Sequence, residues 1–257
     1  MKKLSNAGYI KTLYACLIVL LLWYVLHLAV GSPVIPSPGE TVKNFIMIFP
    51  QTLALHLLAS LGRVLAALAV SFLLGSLAGI WIGANKKADG LVTPILYILY
   101  PIPKIAFLPI LMILLGLGNL PKITLIIIII IFQFIIAARD SVIEIPKELF
   151  YSVLSLGLGR LDIYRHLLIP AALPKIFTAL RISTGISISI IFFAENFAST
   201  YGIGYFIMNS WVMVNYVNMF SGILALSILG LLLFRIIDFL EARYCKWLKA
   251  GKSFLNN

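Results

Sequence analysis

The sequence predicts an all-α integral membrane protein with about six transmembrane helices and a charged loop between the fourth and fifth. Three observations carry this. Of the 257 residues, 61% are hydrophobic and 11% charged, and the mean hydropathy is +1.06. A soluble domain has about a quarter of its residues charged, so this chain lacks the polar surface a water-soluble globule needs. The apolar residues also fall in runs of roughly 20, the length that spans a bilayer as a helix. Finally, the topology below puts about 16 of the 20 Lys and Arg residues on one side, as cytoplasmic loops of membrane proteins require. The net charge of +11 then reports orientation and gives no reason to invoke nucleic acid.

Lys2, Lys3 and Lys11 precede an apolar run over residues 13–30. A cleaved signal peptide is one reading, with Ala29-Val30-Gly31 as the cleavage site. The run exceeds a usual signal core and contains Trp23, Tyr24 and His27, which suit a membrane interface. A retained first span with its N-terminus inside is therefore expected. Residues 31–40 are a proline- and glycine-rich turn, and residues 41–56 read as a segment along the outer surface.

The second span covers residues 57–84, where Gly75, Ser76, Ala78, Gly79 and Gly83 allow close helix approach. Residues 85–90 form a short basic inner loop. The third span, residues 91–115, is interrupted by Pro94, Pro101, Pro103 and Pro109. Broken helices of this kind often line a transport path. Lys104 reads as the one basic residue well inside a span, about 20 Å from its inner end. It is a path candidate together with Pro103; a snorkelling or structurally paired lysine is the alternative. The fourth span, residues 122–138, is led by the isoleucine run 126–131. The fifth, residues 176–194, holds Thr178, Ser183, Thr184, Ser187 and Ser189, whose hydroxyls can bond across helices. Glu195 closes it at the outer side, as a gate residue, a cation partner or a plain interfacial carboxylate. Residues 199–218 read as an outer-surface segment with an aromatic belt. Residues 219–237 are the sixth span, and Arg243, Lys246, Lys249 and Lys252 put the tail inside.

The loop over residues 139–175 breaks the apolar pattern and carries five basic residues. Pro146 suits a first helical turn. Leu149, Val153 and Leu156 then recur at helical spacing, and Gly157 can supply a left-handed stop. A second helix over residues 160–168 is expected to end at Pro170, with Asp162 pairing to Arg165 or His166. Leu149, Phe150, Val153, Leu154, Leu156 and Leu158 require a partner surface, either another protein or the chain's own spans.

Gly157-Leu158-Gly159-Arg160, Tyr164-Arg165 and Leu168-Ile169-Pro170-Ala171-Ala172-Leu173-Pro174 resemble the cytoplasmic loop of binding-protein-dependent ABC importer permeases. That loop carries an E-A-A-x-x-x-G signature and a proline ending. The glycine and the prolines are present, but Tyr151-Ser152-Val153 stands where the acidic start belongs, with Glu148 one turn earlier. Residues 100–118 and Tyr201-Gly202-Ile203-Gly204-Tyr205 are similar to the nitrate, sulfonate and taurine subgroup.

The resemblance implies one permease domain over residues 1–257, its core at about residues 57–240. It implies coupling to an ATPase through Glu148, Tyr151, Ser152, Val153, Gly157, Arg160, Tyr164, Arg165 and Pro170, with Gly157 and Pro170 fixing the bends of a lever. The implied partners are a cytoplasmic ATP-binding subunit, an extracytoplasmic substrate-binding protein, a second copy in a homodimer and the bilayer. ATP and Mg would sit on the partner ATPase, so the chain itself carries no cofactor and is no enzyme. The expected location is the inner membrane, multi-pass, with both termini cytoplasmic, and the expected cargo a small anion. His27, His56 and His166 sit apart in the sequence, Cys16 and Cys245 make no framework, and no metal site is expected. Two other classes stay open: an ATP-independent transporter or channel, and a membrane-embedded enzyme or scaffold, which would need titratable groups converging in the spans.

Overall fold

The computed structural model describes residues 2–247, with side chains from residue 14 onward. Lys249 and Lys252 of the basic tail lie outside the described residues. Every regular element among the described residues is helical.

After α1 (Lys2–Val30), Ser37 accepts the Glu40 N–H at 3.2 Å and Pro38 takes the first turn of α2 (Pro38–Ile48). The expected outer-surface segment is instead packed helix. Thr41 is buried, and Asn44 donates to Asn218 at 2.8 Å and Ser221 at 2.9 Å. α2 runs through a π-helical turn at Phe49–Leu53 into α3 (Ala54–Ala84). Pro50 lacks an N–H and its ring crowds the preceding turn, and the widened turn absorbs both without ending the helix.

Asn85 accepts the N–H groups of Lys87 and Ala88 and opens α4 (Lys86–Leu99). Pro101 and Pro103 then break the chain, and a 3-10 turn at Lys104–Phe107 leads into α5 (Leu108–Leu115) across an 80° bend. α6 (Leu120–Ile143), α7 (Lys147–Ser155) and α8 (Arg160–Ile163) follow.

The helix expected to stop at Pro170 continues. α8 passes through a π turn at Tyr164–Leu168 into α9 (Ile169–Ala194), and Ile169 is helical at φ −62, ψ −51. Widening the turn again accommodates the proline, so Pro170 does not end the helix. Asp162 accepts the Gly159 N–H at 3.3 Å rather than pairing with Arg165 or His166. Much of residues 139–175 is therefore helix continuous with the spans. α10 (Ile203–Val212) buries Ile203, Phe206 and Ile207, which corrects the surface reading of residues 199–218 for that face, while Tyr201 and Trp211 stay exposed. α11 (Tyr216–Tyr244) closes the described chain.

Among the described residues four stretches are long and apolar enough to cross a bilayer: Pro38–Ala84, Leu120–Ile143, Arg160–Ala194 and Tyr216–Tyr244. The bent α4–α5 pair makes a fifth if it is one span, and the described part of α1, Tyr14–Val30, is shorter. The expected six is reached only by counting both.

The core sits between α3, α6 and α9, around Val64, Ala67, Leu125, Ile130, Phe134, Ala172 and Ile191. Leucines on the outer faces of α1 and α11, such as Leu21 and Leu231, are exposed, as a lipid-facing surface requires. Lipid is as apolar as leucine, so close packing must hold the helices together. Gly75 and Gly79 meet the backbone carbonyls of Ile131 and Ile135, and Gly83 that of Arg139. A Cβ at Gly79 would also stand 2.8 Å from Ala138 Cβ. The expected inter-helix hydroxyl bonds of α9 turn inward instead: Thr184 donates to Leu180 O and Ser187 to Ser183 O.

Gly79→Ala is expected to destabilise the protein by about 2 kcal/mol, the cost of overpacking a rigid contact. Gly62→Ala, on the same helix with open space at its Cβ, serves as control. Thermal unfolding in detergent checks this; equal midpoints for the two variants would refute the packing argument.

Candidate functional site

Two regions at opposite ends of the bundle hold the expected site residues other than Pro103 and Lys104, which lie at the bend between α4 and α5. The first is α7 and the turn after it. Ser155 ends α7, and Gly157 adopts φ +72, a conformation that costs any residue with a Cβ. Phe150 and Val153 pack onto the core with Ile163 and Tyr164. The other side of the loop stays uncovered. Leu149, Tyr151, Leu154, Leu156 and Leu161 are all exposed, Leu161 by 85%. The apolar loop thus folds half onto its own spans and presents the rest outward. Glu148 and Tyr151 are exposed one turn apart, and Ser152 spends its hydroxyl on Glu148 O at 2.8 Å. Gly157, Arg160 and Arg165 are exposed, while Tyr164 and Pro170 are half-buried.

Behind α7 lies a cavity of about 880 Å³, bordered by Asn85, Lys86, Asp89, Lys147, Arg160 and Tyr164. Asp89 fixes its wall by accepting from Arg139 at 2.6 Å and from Thr93 at 2.6 Å. Arg139 also pairs with Asp140. Lys175 pairs with Glu144, and Arg181 on α9 bridges Asp238 and Glu241 of α11. These ion pairs join α4, α6, α9 and α11 beneath the loop.

The second region is at the far end of α3. Glu195 is fully buried and accepts from Arg63 at 2.5 Å, from Ser60 at 2.8 Å and from the Gly204 N–H at 2.9 Å. Glu195 thus pairs with a cation, Arg63, and is not a plain interfacial carboxylate. Ser60 in turn accepts the Ile203 N–H at 2.8 Å, and His56 Nδ1 accepts the Gly202 N–H at 3.1 Å. The first turn of α10 is thereby tied to α3. Gly202, at φ +148, lies against the Glu195 carboxylate, where a Cβ would collide. Arg63 Nε also donates to Asn119 at 2.8 Å, and Lys122 is 1% exposed.

Lys104 is not the one basic residue inside a span: Arg63 and Arg181 are others, and Lys122 is buried near the start of α6. Nor does it sit midway along a straight helix, because the chain bends there. Its ammonium donates to Leu99 O at 2.8 Å and Tyr100 O at 2.9 Å, and lies 4.6 Å from the Phe132 ring centre. Leu99 O would bond the N–H four residues on, but that residue is Pro103, which has none. The lysine supplies the missing donor. Lys104 and Glu195 are not brought together: their neighbours on α6, Phe132 and Lys122, are about 15 Å apart along the helix. Among the described residues no group of three or more His, Cys, Asp or Glu side chains could hold a metal ion.

Sequence reasoning missed Ser60, Arg63, Asn119 and Lys122. The available signal was an arginine within an apolar run, which lipid tolerates only with a partner.

Residues 71–246 match the family described as binding-protein-dependent transport system inner membrane component. The taurine transport system permease protein TauC of Escherichia coli (strain K12) is 31% identical over 232 residues, which is 88% of this chain and 84% of that one. The nitrate import permease protein NrtB of Synechocystis sp. is 30% identical over 243 residues, 91% of this chain and 88% of that one. Among solved structures, a chain of a bacterial alginate ABC transporter in complex with its alginate-bound periplasmic protein has a TM-score of 0.65 at 16% identity. The match covers 94% of this chain and 98% of that one, and at this identity it speaks for the fold.

Proposed function

This chain belongs to the family of binding-protein-dependent transport system inner membrane components, and from that premise we propose that it forms the translocation path of an ABC importer for a small anionic solute and couples it to a partner ATPase. The coupling half rests on one observation: α7 presents Leu149, Tyr151, Leu154 and Leu156 to the outside beside a turn held by Gly157. An amphipathic helix with an uncovered apolar face is a docking element, and a charge-rich loop belongs on the cytoplasmic side. The ATP-binding subunit would seat there, carrying ATP and Mg. An extracytoplasmic binding protein would deliver solute to the α10 end, and two copies of this chain would enclose the path. Both termini would then be cytoplasmic. The anionic cargo is supported by relatives named for nitrate, an oxyanion, and for taurine, a zwitterion that carries a sulfonate group.

Gentle purification from the native membrane, with mass spectrometry of what accompanies the chain, tests this reading. A stoichiometric ATPase is expected. A chain that purifies alone and transports in vesicles without ATP would overturn it.

Lys104→Met is expected to lower uptake of an anionic cargo by about threefold or more, since a charge and the cap on Leu99 O go together. ATPase activity should remain coupled, and Lys104→Arg should restore most of the rate. Unchanged uptake kinetics would remove Lys104 from the path.

A further inference from the structure

At the α10 end a cavity of about 510 Å³ is lined by Arg63, Asn119, Lys122, Ser199, Thr200 and Tyr201, among others. Its size suits a small ligand. Two of the lining side chains are buried cations, Lys122 at 1% exposure and Arg63 at 8%. The one carboxylate beside them, Glu195, is held by Arg63 at 2.5 Å. Lys122 makes no ion pair among the described residues. Its ammonium donates to Gly118 O at 3.0 Å and Ala198 O at 3.2 Å, which leaves one of its three N–H donors over. Arg63 uses Nε on Asn119 and Nη1 on Glu195, which leaves Nη2.

The cluster therefore buries two positive charges against one negative. A buried charge without a counter-charge is strongly unfavourable, and here the surplus borders an open cavity. The backbone is held in a costly state beside it: Ala198 adopts φ +45, and its carbonyl is one of the two that hold Lys122.

We propose that this cavity is a binding site for a small oxyanion, held by Lys122 Nζ and Arg63 Nη2, with the hydroxyls of Ser199 and Thr200 at its rim. The bound anion supplies the missing negative charge. The proposal rests on the importer reading for the class of anion; the charge surplus itself does not depend on it.

The test is equilibrium binding of labelled sulfate, nitrate and methanesulfonate to the full chain with its co-purifying subunits in nanodiscs. At least one of the three should bind saturably. Lys122→Met should weaken that binding at least about tenfold, what one charge-assisted hydrogen bond is worth, and Lys122→Arg should largely restore it. If Lys122→Met fails to elute as a folded species, the decision passes to Ser199→Ala/Thr200→Val, expected to weaken binding about threefold.

No saturable binding by the wild type, or binding indifferent to these changes, overturns the site. ATP-dependent import of the anion without binding at the cavity would sink this proposal and leave the importer reading standing. Lys122-dependent binding in a protein that imports nothing with ATP would uphold the site and sink the importer reading.

Discussion

Gly157→Asp is expected to cut ATP-dependent uptake at least about tenfold, the effect of losing 1.4 kcal/mol of docking or more, while membrane insertion and yield stay near wild type. The reasoning is geometric. Nothing lies within 4 Å of a Cβ built on Gly157, so the substitution creates no clash in the fold. Its costs are local. At φ +72 an aspartate pays only part of the left-handed cost, because its short side chain can hydrogen-bond locally. The new carboxylate also enters the apolar face formed by Leu154, Leu156 and Leu161, all exposed, where a partner would have to desolvate it. Uptake by vesicles with matched amounts of inserted protein checks this. Normal uptake would show that the α7 turn is not the coupling lever.

Glu195→Ala is expected to lower the thermal midpoint by about 10 °C, because removing one member of a buried pair costs about 3–5 kcal/mol. The substitution strands Arg63 beside Lys122 with no carboxylate; it deprives the Gly204 N–H of its acceptor and leaves the Ser60 hydroxyl only the longer bond to His56 O. The first turn of α10 would lose its tie to the end of α9, leaving the bonds to Ser60 and His56 of α3 to hold it. Removing the charge from both partners, as in Arg63→Gln/Glu195→Gln, should be milder than Glu195→Ala. Differential scanning fluorimetry of the three proteins in one detergent decides the matter. A shift below about 2 °C for Glu195→Ala would mean that the pair does not hold this end together.

The fold class was legible because bilayer thickness converts directly into run length, and the long stretches through α3, α6, α9 and α11 lie where the apolar runs put them. The stop at Gly157 was legible too, since a left-handed residue after a helix points to glycine. Pro170 was misread: it looks like a breaker in sequence, yet it follows a π-helical turn that keeps the chain helical, and Pro50 lies in another such turn. Pro101 and Pro103, two residues apart, do break it. The bend they make also explains the placement of Lys104, whose ammonium replaces a missing backbone donor. The buried cluster was the least legible part. Ser60, Lys122 and Glu195 come from three helices and converge only through packing, and no spacing within one segment announces them. The uncovered half of α7 was half-foreseen: the apolar positions were visible, but their division between Phe150 inward and Leu154 outward needs the fold.

The central claim, that this permease couples solute movement to ATP hydrolysis on a separate subunit, is tested most directly by uptake into proteoliposomes. The vesicles would contain the chain with its co-purified ATPase, and labelled taurine and nitrate would be supplied with the matching binding protein. Accumulation that requires ATP, stops when the ATPase is omitted and is lost in Gly157→Asp is the predicted result. Equal accumulation by the chain alone, with or without ATP, would contradict it.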